Sequence, residues 1–284
     1  MAKRYVLVTI SVPDEQVDIS IAVLSGYPLI GIEQGVDECT VSFDQNDWQT
    51  SFAESMIQEM TDMGLTASVA KIHIEEDQNW NAEWEASIEP VIVNNRIAIV
   101  PEWRARDYDY PLTLVITPKM SFGTGHHATT RMMCMLVETY VTRSDVWVDV
   151  GTGTGVLAIL AAKLGAKEVF AFDNNEWSIV NSHENVDRNN VKDIVRLELT
   201  ELQDVALPMC DGLAANLYRH LVIPYAESFI KAVKPNGIIL VSGILKYDKD
   251  DVAAPFLEHG CTIEASLAET EWCAIAFRTP RTRP

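Results

Sequence analysis

The stretch Val146–Gly155, V-W-V-D-V-G-T-G-T-G, joins an apolar run, an acid and three alternating glycines, Gly151, Gly153 and Gly155. Glycine serves where the chain must take φ > 0 or where a ligand must approach the backbone. The V-L-A-I-L-A-A-K-L-G-A that follows is helix-forming, and a helix N-terminus offers unpaired N–H groups and partial positive charge. A second apolar run, V-F-A-F-D, ends at Asp173. A carboxylate there can accept both hydroxyls of a ribose. Strand, glycine turn, helix and acid-terminated strand make a nucleoside-binding βαβ unit. The bland alternative is a glycine-rich turn that binds nothing.

The glycine spacing separates two cofactor classes. A dinucleotide turn needs G-x-G-x-x-G, and its third glycine position is Val156 here. G-x-G-x-G with Asp149 just before it suits S-adenosylmethionine-dependent methyltransferases, whose loop meets no pyrophosphate. Upstream, M-S-F-G-T-G-H-H-A-T-T-R-M-M (residues 120–133) forms a glycine-flexed loop expected to close over the cofactor. Thr130 is its hydroxyl donor. The adjacent His126 and His127 lack the i, i+4 spacing of a helical metal site, so no metal is expected. Downstream, L-A-A-N-L-Y-R-H places Asn216 at the end of an apolar strand. Its amide can face the cleft, accepting from an amine, or cap the next helix. Position alone leaves both open.

These residues need a frame. Beyond residue 112 strand and helix patterns alternate. Strands are expected at 146–150, 168–172, 194–199, 211–215 and 237–242, and helices at 127–141, 155–165, 175–188, 219–233 and 249–258. Such alternation implies a parallel sheet covered by helices, with ligands beyond the carboxyl ends of its strands. Two closing runs, Cys261–Ala268 and Trp272–Arg278, are too close for a crossover helix and must form an antiparallel hairpin. The amino-terminal pattern is β-α-β-β-α-β, a ferredoxin-like order. The predicted fold class is therefore α/β: a seven-stranded, mostly parallel, Rossmann-like methyltransferase sheet behind a small ferredoxin-like α+β domain. The domains expected are 1–74, ferredoxin-like and substrate-recognising; 75–111, a linker with a short helix over Trp80, Trp84 and Ile88 and a hairpin turning at Asn94-Asn95; and 112–284, the methyltransferase domain.

The 284 residues carry a net charge of −19. That argues against direct nucleic-acid binding, which rests on phosphate neutralisation, and suits a basic partner. The five cysteines form no C-x-x-C and look like buried thiols of a reducing compartment. No stretch reaches the roughly 20 apolar residues of a membrane span, and no signal peptide is evident. The expectation is a cytoplasmic protein without membrane contact.

F-G-T-G-x-H-x-T-T, D-x-G-x-G-x-G-x-L-A-I, A-N-L-Y and S-G-I-L (residues 242–245) occur in one order. Together with N-W-N-A-E-W near Trp80 and I-V-P-E-W near Trp103, they resemble the bacterial ribosomal protein L-eleven methyltransferases (PrmA-type). The resemblance covers essentially the whole chain. It implies a methyltransferase using S-adenosylmethionine and acting on the α-amine and lysine ε-amines of a basic ribosomal protein gripped by the small domain. By motif position, cofactor contacts fall on Thr130, Gly151, Asp173 and Asn216; the turn itself adds Asp149 and Gly153. Asn216 is also the catalytic candidate, holding either the amine or the methionine tail. The chain departs from the family at His126-His127-Ala128, where Thr-His-Pro is common, and at Thr152, where many members carry Cys. The competing readings are methylation of another protein or a small amine, and a non-catalytic nucleoside-binding assembly factor.

Overall fold

The structure is a computed structural model that describes residues 4–76, 88–119 and 121–282. The expected helix over Trp80 and Trp84 lies outside the described residues. The chain divides into two compact units, residues 1–87 and 88–284.

In the first unit, strand β1 (Arg4–Ser11) is followed by helix α1 (Val17–Leu24), the hairpin of β2 (Gly31–Gln34) and β3 (Glu38–Asp44), helix α2 (Ser51–Asp62) and β4 (Ser68–Glu76). The sheet order is β2-β3-β1-β4, with every pairing antiparallel. Alternation buries Val6, Val8 and Ile10 of β1 against Met56 and Met60 of α2. Trp48 precedes α2, and its ring meets Phe43 at 4.9 Å. Asp14 opens a 3-10 turn without a side-chain cap; its N–H donates to Asp37 Oδ1 at 3.1 Å.

The second unit opens with β5 (Val91–Val93) and β6 (Ile97–Val100). They turn at Asn94 and Asn95, whose φ values of +46° and +58° suit a tight two-residue hairpin. β6 also pairs in parallel with β7 (Leu112–Val115). The hairpin expected in a linker is thus part of a three-stranded sheet inside this unit. Its parallel partner lies beyond a 3-10 turn at Glu102–Asp107, a pairing that local patterning does not reveal.

The main sheet has seven strands: β8 (Val146–Val150), β9 (Glu168–Asp173), β10 (Val195–Leu199), β11 (Cys210–Asn216), β12 (Val233–Leu245), β13 (Thr262–Glu269) and β14 (Trp272–Arg278). Their order is β10-β9-β8-β11-β12-β14-β13. The first five run parallel, and β14 is antiparallel to both neighbours. The expected closing hairpin is present, inserted so that its second strand lies beside β12. β12 is longer than the expected 237–242: residues 233–236 join it as an irregular entry, with Asn236 at φ +59°. Successive strand residues alternate between two apolar layers, for example Val169 and Ala171 on one face and Phe170 and Phe172 on the other. Helices α3 (Ala128–Tyr140), α4 (Val156–Leu164) and α5 (Glu176–Arg188) serve the first layer; α6 (Arg219–Ala232) and α7 (Lys249–Glu258) serve the second. Apolar residues on both faces of β8 and β11, such as Trp147 and Val148 or Leu213 and Ala214, are what a sheet covered on both sides requires.

Candidate functional site

The carboxyl ends of β8, β9, β11 and β12 open on a cleft of about 540 Å³. Gly151, Gly153, Asp173 and Asn216 all line it. The three glycines of the turn sit at φ +69°, +56° and +82°, values that L-residues rarely adopt. A side chain is also excluded sterically. A Cβ on Gly153 would stand 2.2 Å from the Phe122 carbonyl oxygen, and one on Gly151 would meet Leu217 Cδ2 at 2.6 Å. The bare backbone at the turn lets the preceding loop and the A-N-L segment close in on it.

Asp173 holds the turn while facing the cleft. Its Oδ2 accepts from the Gly153 N–H at 2.9 Å and its Oδ1 from the Asn175 N–H at 2.9 Å. Each carboxylate oxygen has a second lone pair, so a diol remains within its capacity. Asp149 lies beneath the turn and outside the cleft lining. It is 3% exposed, and its Oδ2 accepts from the Thr152 hydroxyl at 2.7 Å and the Ala158 N–H at 3.2 Å. Burial pushes its carboxyl up to about 6; the Thr152 and Ala158 hydrogen bonds oppose that rise and nearby Asp173 adds to it. Asp149 thus ties the turn to the first turn of α4.

Two orphaned acceptor-capable atoms stand out. Asn216 Oδ1 and Thr130 Oγ1 are buried without a hydrogen-bond partner, and a buried polar atom left unpaired costs about 1–3 kcal/mol. Asn216 lines the cleft and does not cap the next helix, whose N-cap is Tyr218. Thr130 is in the first turn of α3, outside the cleft lining; its neighbour Thr129 lines the cleft instead.

The 121–127 loop packs directly on the glycine turn. Phe122 and Gly123 offer their carbonyls to the Thr154 N–H at 2.9 Å and the Thr154 hydroxyl at 2.8 Å. His127 caps α3, its Nδ1 bonding the Thr129 hydroxyl at 2.8 Å. Arg131 pins the loop from α3: it donates to the Gly125 and His126 carbonyls and pairs with Glu269 of β13. On the sheet side, Gly243 of the S-G-I-L segment lets the Leu217 backbone approach, since a Cβ there would meet Leu217 O at 2.6 Å. The Leu217 N–H donates to Ser242 O at 3.0 Å.

Sequence reasoning passed over several contributors. Trp272, the first residue of β14, lines the cleft, as do Asn175 and Ser178 of the α5 start. The signal for Asn175 was there: it N-caps α5, accepting from the Trp177 N–H at 2.8 Å. Asn185 and Asn189 form a buried stripe on α5. Asn185 accepts from the Thr117 N–H and donates to Thr154 O, and Asn189 exchanges two bonds with Val115, tying the β7 exit to the turn. Among the described residues no three His, Cys, Asp or Glu side chains gather as a metal site.

A family model described as ribosomal protein L11 methyltransferase (PrmA) matches residues 29–280. A ribosomal protein L11 methyltransferase of Heliobacterium modesticaldum is 38% identical over 71% of this chain and 64% of its own length. That of Chlorobaculum parvum is 39% identical over 69% of each chain. Among solved structures, a ribosomal protein L11 methylase from Lactobacillus delbrueckii subsp. bulgaricus superposes with a TM-score of 0.62 at 26% identity. The superposition covers 68% of this chain and all of that one.

Proposed function

The chain belongs to the ribosomal protein L11 methyltransferase family, and from that premise we propose that it methylates amine nitrogens of ribosomal protein L11, with S-adenosylmethionine as donor. The observation that carries this reading is the conjunction, in one cleft, of the glycine turn, Asp173 and the unpartnered Asn216 Oδ1. The residues fit the donor. Asp173 has lone pairs for a ribose, the backbone at Gly151 and Gly153 leaves room for the methionine moiety, and Asn216 Oδ1 needs an N–H donor. When bound, the donor supplies an electrophilic methyl group on a sulfonium.

The acceptor must arrive as a neutral amine. Deprotonating a lysine at pH 7 costs roughly 4–5 kcal/mol, and an α-amine only about 1–1.5 kcal/mol. An apolar cleft wall offsets part of that by disfavouring the ammonium. Asn216 Oδ1 accepts a hydrogen bond from an amine N–H, which aims the nitrogen lone pair away from the side chain. Positioning then supplies most of the acceleration. The small unit, residues 1–87, grips and orients the substrate.

Mass spectrometry of purified L11 incubated with this protein and S-adenosylmethionine tests the proposal. Mass increments of single methyl groups, mapped to the α-amine and lysine side chains, are the expected result. Donor turnover on small amines with no change in L11 would shift the assignment to a small-molecule enzyme.

A further inference from the structure

Behind the glycine turn lies one buried amide. Asn185 of α5 is fully buried. Its Oδ1 accepts from the Thr117 N–H at 3.1 Å, and its Nδ2 donates to Thr154 O at 2.9 Å. Thr154, between Gly153 and Gly155 of the turn, is fully buried too. Its N–H and its hydroxyl go to the Phe122 and Gly123 carbonyls. Its own carbonyl lacks the usual helical partner, because the N–H four residues on, that of Ala158, donates to Asp149. Asn185 takes this carbonyl. Accepting from one backbone N–H while donating to one backbone carbonyl is what a carboxamide can do. Its neighbours on the same helix face do not do this. Ser182 lies against the turn, since a Cβ on Gly155 would stand 3.3 Å from Ser182 Cβ, but its hydroxyl donates to Ile179 O of its own helix. Asn189 bonds Val115 of β7.

We propose that Asn185 is a positioning residue for the methyl donor: it fixes the Thr154 carbonyl and so holds the turn in the shape that the donor meets at Gly151 and Gly153. This role rests on the reading of the cleft as an S-adenosylmethionine site. Glycines on both sides of Thr154 leave the local backbone free to rotate, so a bond from outside the turn must fix it. The link to the donor is short. Gly153, one residue before Thr154, lines the cleft and donates its N–H to Asp173 Oδ2 at 2.9 Å. A rotation at Thr154 displaces that N–H and with it the carboxylate assigned to the ribose. The same amide holds Thr117, where the chain leaves β7 for the 121–127 loop. The start of that stretch and its contact with the turn at Phe122 are thus both referenced to Thr154. A turn held in shape before binding spares the donor the entropy of ordering it. The effect of Asn185 therefore falls on donor affinity and not on the transfer step.

Calorimetry of the full chain with S-adenosylmethionine tests this role against a control on the same helix face. Asn185→Ala should weaken donor binding at least roughly fivefold, the scale of one or two lost hydrogen bonds. Ser182→Ala alters the packing against the turn without breaking a bond to it, and its donor affinity should stay within about twofold of wild type. Steady-state methylation of L11 should show a matching split: in Asn185→Ala the KM for the donor rises, while kcat at saturating donor stays within about twofold. If Asn185→Ala does not fold, Asn185→Ser carries the same comparison, because one hydroxyl is too short to hold both Thr117 and Thr154. Unweakened donor binding in the Asn185 variants, or equal weakening in Ser182→Ala, overturns the positioning role. A wild type that binds no S-adenosylmethionine overturns the donor reading together with it. L11 left unmethylated by a wild type that binds the donor refutes the acceptor assignment alone and leaves the calorimetric comparison standing.

Discussion

Asp149 and Asp173 flank one turn with opposite surroundings. Asp149 is buried beneath it, and burial lifts its carboxyl to about 6 from an ordinary value of 3.8. The folded state therefore holds this proton more tightly than the unfolded chain. The stabilisation is fully present below about pH 4 and is lost as pH rises through about 6. At neutral pH the ionised form costs roughly 3 kcal/mol at most. Asp149→Asn removes that titration while keeping an oxygen acceptor for Thr152 and Ala158. Its stability relative to wild type, from urea midpoints, should climb between pH 4 and pH 7; a flat difference would show that the buried acid does not titrate there. Asp173 acts on the ligand side. Hydrogen bonds to a charged acceptor are worth about 1.5–3 kcal/mol. Asp173→Ala should thus weaken S-adenosylmethionine binding at least roughly tenfold by calorimetry, and undiminished affinity would remove the ribose assignment. The sequence showed both acids and their positions on the turn. Which of them faces the cleft was not legible, because it depends on how the turn folds over Asp149, whose Oδ2 accepts from the Thr152 hydroxyl and the Ala158 N–H.

At the scale of elements, the 121–127 loop depends on a partner far along the chain. Arg131 and Glu269 are 138 positions apart, and no local pattern links them. The sequence marked the loop by its glycines, and the observed glycine angles of +107° at Gly123 and +94° at Gly125 agree with the flexed reading. What holds such a loop in place is non-local. Arg131 grips two of its carbonyls from the first turn of α3 and is held by Glu269 just before the turn that leads to Trp272. One ion pair therefore ties the loop to β13, close in sequence to Trp272 of the cleft lining. The pair is a quarter to a third exposed, and solvent screening keeps its contribution to global stability small. Its effect belongs to geometry. Arg131→Ala should lower kcat/KM on L11 about tenfold, since small misplacements near reacting atoms are costly. Faster amide exchange at 122–127 and a nearly unchanged melting temperature should accompany it. Unaltered exchange in that loop would mean that the Thr154 contacts alone suffice to hold it.

At the scale of the molecule, the two units divide the labour in a testable way. The strand–helix alternation made the seven-stranded sheet legible, since both faces of each central strand are apolar and each crossover needs a helix. The three-stranded sheet was not legible, because β6 pairs with β7 across an irregular segment. The described core of the first unit, from Val6 to Met60, is built within that unit. The two layers around the main sheet draw on residues from Val93 to Phe277, and every residue lining the cleft falls in the second unit. Donor binding should therefore survive removal of residues 1–87, with a calorimetric Kd within roughly twofold of the full chain. Methylation of L11 by the same fragment should fall at least about a hundredfold, because recognising a protein substrate needs more surface than a cleft of this volume offers. The two measurements separate the possible causes. If donor affinity collapses as well, the first unit supports the fold of the second. If the fragment methylates L11 at the full rate, substrate recognition resides in the methyltransferase unit itself, and the ferredoxin-like unit serves some other contact.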